Sequence, residues 1–257
     1  MIFGTGGSGT RVIAKIIKAA GYFIGSNLNP ANDSLDIANF CNRRVNEYLT
    51  ATHWINSILE GKDVRGILTA NHQDVVDDFE DCIARHRASL QDDRAAWGWK
   101  SPRTFYMLPF LYQRYPGIRI IHLVRDGRDI AYSRNQNQLN NHGMYLLKEV
   151  EHAYSTPLKS IIIWDRINRA SAIFGESLLE GRYLRVRFED LWLDADVSVA
   201  RILEHCGCGT KHTPPLMEVT SAIKQPSSFE RWKTHDPSDV AALNGLGQVA
   251  LRLFGYT

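Results

Sequence analysis

The chain has 257 residues, 44% of them apolar and 23% charged, with a formal net charge of +2. That length supports one large α/β core. The near-balanced charge, with no Lys/Arg run, argues against a bulk nucleic-acid surface, and no stretch approaches the ~18 apolar residues of a membrane span. Only three residues precede Gly4, so no secretory leader is expected from the sequence. The four cysteines, Cys41, Cys82, Cys206 and Cys208, lack C-x-x-C spacing. They read as reduced thiols of a cytoplasmic protein, with Cys82 and Cys206 on the core faces of helices.

In chain order, Ile2-Phe3 reads as a short strand, Gly4–Gly9 as a glycine-rich turn, and about 10–20 as a helix ended by Gly21. Residues 22–24 read as a short strand and 25–35 as a loop. Helical patterning covers about 36–60 and 74–90. A buried strand is expected over 96–100, ending at Ser101-Pro102, and a helix over 104–115, broken by Pro116-Gly117. The clearest strand is 118–124, β-branched and bounded by turn residues; a helix opens just after it at Arg125-Asp126-Gly127-Arg128-Asp129. A long helix is expected over about 145–176, with Pro157 as a break. A strand follows at 183–188, then helices near 195–206 and 238–254. Residues 207–237 hold four of the nine prolines and read as a long loop. Strands alternating with helices imply a parallel sheet covered on both faces, here in one domain, 1–257.

In such sheets ligands bind at the carboxyl ends of the strands. Three segments converge there: Gly4–Arg11, Lys100–Arg103 and Arg125–Ser133. A glycine loop feeding a helix points free N–H groups at a phosphate. Gly4 and Gly9 match G-x-x-x-x-G, but Thr10 stands where an ATP-binding loop carries Lys. The site therefore suits a phosphate ligand without a γ-phosphate. Arg125, at the end of a buried strand, can grip a phosphate bidentately or pair with a neighbouring carboxylate. Ser133 is expected about two turns into the following helix, roughly 10 Å along its axis. Asp126, Arg128 and Asp129 read as helix-start charges and surface pairs. Trp164 and Asn168, four apart on a helix face, read as core.

Gly6-Gly7-Ser8-Gly9-Thr10 resembles the 5′-phosphosulfate loop of sulfotransferases that use 3′-phosphoadenosine 5′-phosphosulfate (PAPS). The stretch Leu123 to Ser133, LVRDGRDIAYS, resembles that family's 3′-phosphate motif, in which an Arg is followed eight residues on by a Ser. Arg187-Phe188-Glu189-Asp190-Leu191 is similar to its Arg-Tyr-Glu-Asp-Leu stretch, and Arg231-Trp232-Lys233 to its last cofactor loop. The resemblance runs in order from residue 2 to about 256. It implies a three-layer α/β fold of the P-loop type, a central parallel sheet flanked by helices, and sulfuryl transfer from PAPS, without metal, to a hydroxyl or amine of a small molecule or glycan.

By this resemblance Gly6, Gly7, Ser8, Gly9, Thr10 and Arg11 hold the 5′-phosphate. Arg125 and Ser133 hold the 3′-phosphate, Phe188 and Trp232 pack the adenine, and Lys233 with Ser227 or Ser228 closes on the 3′-phosphate. Many relatives carry a cation where this chain has Gly7, so Arg11 or Lys100 is expected to neutralise the leaving group. In cytosolic relatives a Lys-x-His motif appears; Lys100 matches, but Pro102 replaces the His. Distant relatives use an acid in the loop after the first helix, where this chain has Asp33 and Asp36. Asp33 also suits an Asx turn or helix cap, and His53, His72 and His142 are further candidate bases, so the sequence leaves the base open. Residues 25–75 and 134–160 are expected to wall the acceptor pocket. Two alternatives remain: an ATP-using small-molecule kinase, which would want a Lys at Thr10 and an acid at Arg125, and a catalytically silent nucleotide-binding protein on the same fold, which Gly7 and Pro102 would suit.

Overall fold

The computed structural model describes residues 1–63, 73–92, 95–208 and 214–256. Three parallel strands, β1 (Ile2–Phe3), β2 (Ile120–Val124) and β3 (Tyr183–Arg187), form a sheet in the order β1-β2-β3. β2 takes the centre, pairing Ile121 with Ile2 and Ile120 with Tyr183. Every residue of β2 is buried, as expected of a parallel strand covered on both faces. The expected strands at 22–24 and 96–100 are reduced to isolated bridges, Phe23 to Trp97 and Lys100 to Ile2. They still extend the sheet beyond β1: the Ile2 amide donates to the Trp99 carbonyl at 2.9 Å and the Ser101 amide to the Ile2 carbonyl at 3.2 Å.

Helices cover both faces: α1 (Thr10–Ala19), α2 (Leu35–Thr52), α3 (Trp54–Leu59), α4 (Gln73–Arg87), α5 (Leu108–Arg114), α6 (Gly127–Ala131), α7 (Asn137–Leu146), α8 (Thr156–Leu178), α9 (Asp190–Leu193), α10 (Ala195–Cys206), α11 (Pro214–Ser221), α12 (Pro237–Leu246) and α13 (Gln248–Leu253). Period-2 side-chain alternation splits the core in two. Ile121, Leu123 and Val186 face Ile13, Ile16 and Ile17 of α1 and Ile202 of α10. Phe3, Ile120 and Val124 join the larger cluster with Trp54, Trp164, Phe174 and Phe254. Each fully buried Ile of α1 contributes about 1.5–3 kcal/mol by leaving water, which fixes the glycine turn ahead of it against the sheet.

The structure corrects several boundaries. The helix expected over 145–176 is divided among the end of α7, a 3-10 turn at Glu149–Ala153 and α8, and Pro157 lies in the first turn of α8 instead of breaking it. A proline there forfeits no hydrogen bond, because first-turn N–H groups have no intrahelical partner. The loop expected over 207–237 contains α11, which begins at Pro214-Pro215, and a 3-10 turn at Arg231–Thr234. The helix opened after β2 stops at Ala131, so Ser133 lies beyond it and not two turns inside. Cys82 is fully buried and Cys206 half-buried, and all four cysteines are free thiols. No helix among the described residues is long and apolar enough to cross a membrane.

Candidate active site

The carboxyl ends of β1, β2 and β3 open on one side of the sheet, and the chain leaves each strand in a turn that carries polar groups. After β1 the loop turns at Thr5, whose carbonyl accepts from the Ser8 amide at 3.0 Å. Gly7 and Gly9 adopt φ of 86° and 88°, the left-handed region that L side chains rarely enter. A Cβ on Gly9 would stand 2.1 Å from the Phe188 ring, so the loop lies directly on the residue that follows β3. Gly9 caps α1 without any side-chain hydrogen bond, which leaves the helix N-terminus open to an anion. The Thr5 and Ser8 hydroxyls are buried with no partner. Buried polar atoms are rarely left unmade without a reason, and two hydroxyls beside open amide groups fit a phosphate oxygen.

After β2, Arg125 is buried at 4% exposure and reaches four groups. Nη2 donates to Asp129 Oδ2 at 2.8 Å, to the Ser228 carbonyl at 2.6 Å and to Ser228 Oγ at 3.0 Å, and Nη1 to the Gly7 carbonyl at 3.3 Å. Its Nε has no partner. The carbonyl of Arg125 is itself held by Trp164 Nε1 at 3.0 Å. Asp129 also accepts the Glu230 amide at 3.1 Å, so Arg125 and Asp129 together tie the glycine loop, α6 and the 228–230 segment into one basin. Asp126 caps α6 and pairs with Arg128 at 2.6 Å. Asp126, Arg128 and Asp129 are all buried, which corrects the expectation of surface pairs. Glu189 joins the strand exits: its Oε1 accepts the Asp126 amide at 3.2 Å, and its Oε2 lies 2.6 Å from the Tyr256 hydroxyl. Burial pushes the Glu189 carboxyl above the usual carboxylate range.

Ser133 meets the same basin. A Cβ on Gly7 would stand 3.3 Å from Ser133 Oγ, so Arg125 and Ser133 both meet the loop at Gly7. Arg231 donates to the Ser228 carbonyl at 3.3 Å and has no ion-pair partner among the described residues. Burial first, and the neighbouring Arg125 charge second, pull its guanidinium below the usual value. Two guanidiniums kept close, with one carboxylate between them, concentrate positive charge where Arg125 and Arg231 meet.

On the other side of the loop, Lys100 and Asp33 form an ion pair. Lys100 Nζ lies 2.5 Å from Asp33 Oδ1 and donates to the Ala31 carbonyl at 3.1 Å. Lys100 is 3% exposed. Burial pulls its ammonium below the ordinary lysine value, opposed by Asp33 and reinforced by the nearby Arg11 charge. Asn29 Nδ2 donates to Asp33 Oδ2 at 2.9 Å. The Asx turn belongs to Asn29, whose Oδ1 accepts the Ala31 and Asp33 amides, and the α2 cap belongs to Ser34. Asp33 is thereby free of both structural roles considered for it. Asp33, Gly6, Pro102 and His142 line a cleft of about 330 Å³, at the lower end of the ~300–1,000 Å³ of small-molecule sites.

A sulfotransferase family model matches residues 1–212, more than half of the chain. The chain belongs to the sulfotransferase family. Among solved structures, the sulfotransferase domain from the curacin biosynthetic pathway is similar at a TM-score of 0.50 and 14% identity, covering 100% of this chain and 97% of that one. That likeness is one of fold. No curated protein gives a match.

Within this sulfotransferase-family chain, the structure brings Gly7, Ser8, Gly9, Thr10, Arg125, Ser133, Phe188 and Ser228 around one basin; Gly6 and Asp33 line the neighbouring cleft, with Lys100 buried behind Asp33. Arg11 is exposed in the first turn of α1, without an ion pair among the described residues. Phe188 supports the loop at Gly9 and packs edge-on to Trp192 at 4.9 Å. Trp232 stacks on Arg128, its ring centroid 3.9 Å from the guanidinium carbon. Lys233 is exposed and pairs with Glu230; the cation directed at the basin is Arg231, two positions earlier. Among the other candidate bases, His53 is an exposed hinge between α2 and α3 and Asp36 accepts from Asn27. His72 lies outside the described residues, and His142 lines the cleft. The sequence reading places Asp129 only among helix-start charges and Glu189 only in the Arg187–Leu191 stretch, and assigns neither to the site. The i,i+4 spacing of Arg125 and Asp129 was the available signal for the first.

Proposed function

We propose that the chain transfers a sulfuryl group from PAPS to a hydroxyl of a small molecule or glycan. The observation that carries this reading is the basin itself: unpartnered Thr5 and Ser8 hydroxyls and an open helix N-terminus beside two guanidiniums and no ATP-type lysine. In this reading the Gly9 and Thr10 amides and the Ser8 hydroxyl take the 5′-phosphate. Arg125, Ser133, Ser228 and Arg231 take the 3′-phosphate, and Phe188 and Trp232 bound the adenine. The donor supplies the sulfuryl group and a phosphate that leaves without a metal.

Asp33 is the proposed base. It lines the cleft and can take the acceptor proton as the acceptor oxygen bonds to sulfur; the electron pair of the broken S–O bond stays on the phosphate. A proton on Asp33 strips Lys100 of its counter-charge. The Lys100 ammonium then serves the negative charge growing on the phosphate, a preorganised electrostatic contribution. Proton transfer and charge neutralisation are coupled through one ion pair. Arg11, in the solvent-facing first turn, adds long-range positive charge.

Isothermal titration with 3′-phosphoadenosine 5′-phosphate (PAP) and with Mg-ATP tests the reading. Tight binding of PAP and none of ATP is expected; the reverse order would replace it with the kinase reading.

A further inference from the structure

The cleft beside the glycine loop has an unusual wall. It lies where two helices meet, a place that globular proteins normally fill with apolar side chains. Here α2 presents Asn39 and Asn42, spaced i,i+3 on one face. α7 presents Asn137, Gln138 and Asn141, of which Asn137 and Asn141 are spaced i,i+4. Asn135 precedes α7 on the same wall. No Phe, Tyr or Trp lines the cleft. The Asn39, Asn137 and Asn141 amides make no side-chain hydrogen bond among the described residues, so their donors and acceptors are free. The wall also touches the loop: a Cβ on Gly6 would stand 2.5 Å from Gln138 Oε1.

His142, at the base of this wall, adds a directed acceptor. Its Nδ1 lies 2.8 Å from Asn46 Oδ1, which places the ring proton on Nδ1. Nε2 is then a lone pair, and it is buried without a partner. Arg103, also on the cleft, spends its guanidinium on Asn42 Oδ1 and the Ala38 carbonyl. The Asp33–Lys100 pair is internally neutral.

We propose that the acceptor is a polyhydroxylated compound of the sugar class, read by this fan of amides. An amide carries one acceptor oxygen and two N–H donors, the complement of a hydroxyl that both gives and takes. Several amides on two facing helices suit a ring bearing several hydroxyls. A flat phenol offers one hydroxyl and a hydrocarbon face, and it would leave these amides desolvated and unpaired. The inference rests on the sulfuryl-transfer reading for the identity of the reaction, while the chemistry of the cleft stands on its own residues.

The test uses the full chain and a fixed panel: N-acetylglucosamine and cellobiose against 4-nitrophenol and 2-naphthol. Binding is read by saturation-transfer NMR with and without PAP, and turnover by labelled sulfate from PAPS. Sugars are expected to bind and accept sulfate, and phenols to do neither. The double variant Asn39→Leu/Asn141→Leu changes two exposed helix positions that a leucine tolerates. It should raise the sugar KM by about tenfold or more, the loss of two or more hydrogen bonds, with PAP affinity unchanged. Sulfation of the phenols without the sugars, or sugar binding that ignores the double variant, would overturn the proposal and leave sulfuryl transfer standing. Sugar binding in a chain that binds no PAP would keep the cleft assignment and remove the donor reading. Binding of neither acceptor class would overturn the cleft assignment.

Discussion

The two sides of the glycine loop are built in opposite ways. The basin on the Arg125 side is made of buried charges that hold one another: Arg125 with Asp129, Asp126 with Arg128, and Glu189 with the Asp126 amide. The cleft on the Asp33 side has one buried ion pair and a rim on which the exposed Asn39, Asn137 and Asn141 amides have no side-chain partner among the described residues. Buried charges must be paired to exist at all, so the basin is rigid and its residues lock one another. Exposed amides constrain nothing and can change without harm to the fold. The basin is where a fixed ligand would be read, and the cleft is where specificity can drift.

The largest predicted effect lies in the basin. Arg125→Ala leaves Asp129 buried without its cation, and breaking such a pair costs about 3–5 kcal/mol. Chemical denaturation should show that loss and titration should show no PAP binding. Arg125→Lys should recover much of the stability but not the affinity, because an ammonium cannot span Gly7, Asp129 and Ser228 together. An Arg125→Ala protein as stable as the parent would show that the basin is not a mutually held lattice.

On the cleft side, Asp33→Asn should lower kcat by about 10²–10⁴-fold, the usual range for losing a general base, while PAP binding persists. Lys100→Met should also lower kcat, and the two changes together should cost little more than either alone if, as proposed, one ion pair does both jobs. Additive losses would separate the two roles.

Where the halves join, Gly9→Ala should cost about 1–3 kcal/mol from its left-handed backbone and the Phe188 ring in its way. Phe188→Ala in that background should recover the steric part and leave the backbone part, which a double-mutant cycle reads directly.

The smallest effect is one of pH. Burial holds His122 down to about 3 and His142 down to about 4, below the ordinary 6.5. Both stay neutral in the folded chain and take up protons on unfolding. Their contribution to stability is therefore complete above 6.5 and lost as pH falls through 4 and then 3. The melting temperature should decline over that window, and His142→Gln should flatten its upper part. A melting temperature independent of pH between 7 and about 4 would contradict the burial of both rings.

The basin was legible in the sequence because its parts are contiguous: Gly4–Arg11 and Arg125–Ser133 are each one strand exit. The cleft was legible only in fragments. Asp33 and Lys100 were each singled out, but their pairing spans 67 positions and follows from the bridge of Lys100 to Ile2, too short to show as a strand pattern. The amides of α2 and α7 sit on separate helices, and nothing local marks them as one wall. The boundary errors share a cause. In sequence Pro157 reads as a break and Pro214-Pro215 as part of a loop, yet each lies where a helix starts, the position at which a missing N–H costs nothing. Arg231, Trp232 and Lys233 were recognised as a group, but the turn at Arg231–Thr234 decides which cation faces inward, and it selects Arg231.

In the proposed function Arg125 and Arg231 read a second phosphate that the glycine loop does not. The direct measurement is the affinity of PAP against that of AMP, which lacks the 3′-phosphate, in the parent chain and in Arg231→Gln. PAP should bind the parent about 10²-fold or more tighter than AMP, as charge-assisted hydrogen bonds provide, and Arg231→Gln should narrow the gap by weakening PAP alone. Equal binding of PAP and AMP, or a variant that weakens both alike, would contradict it.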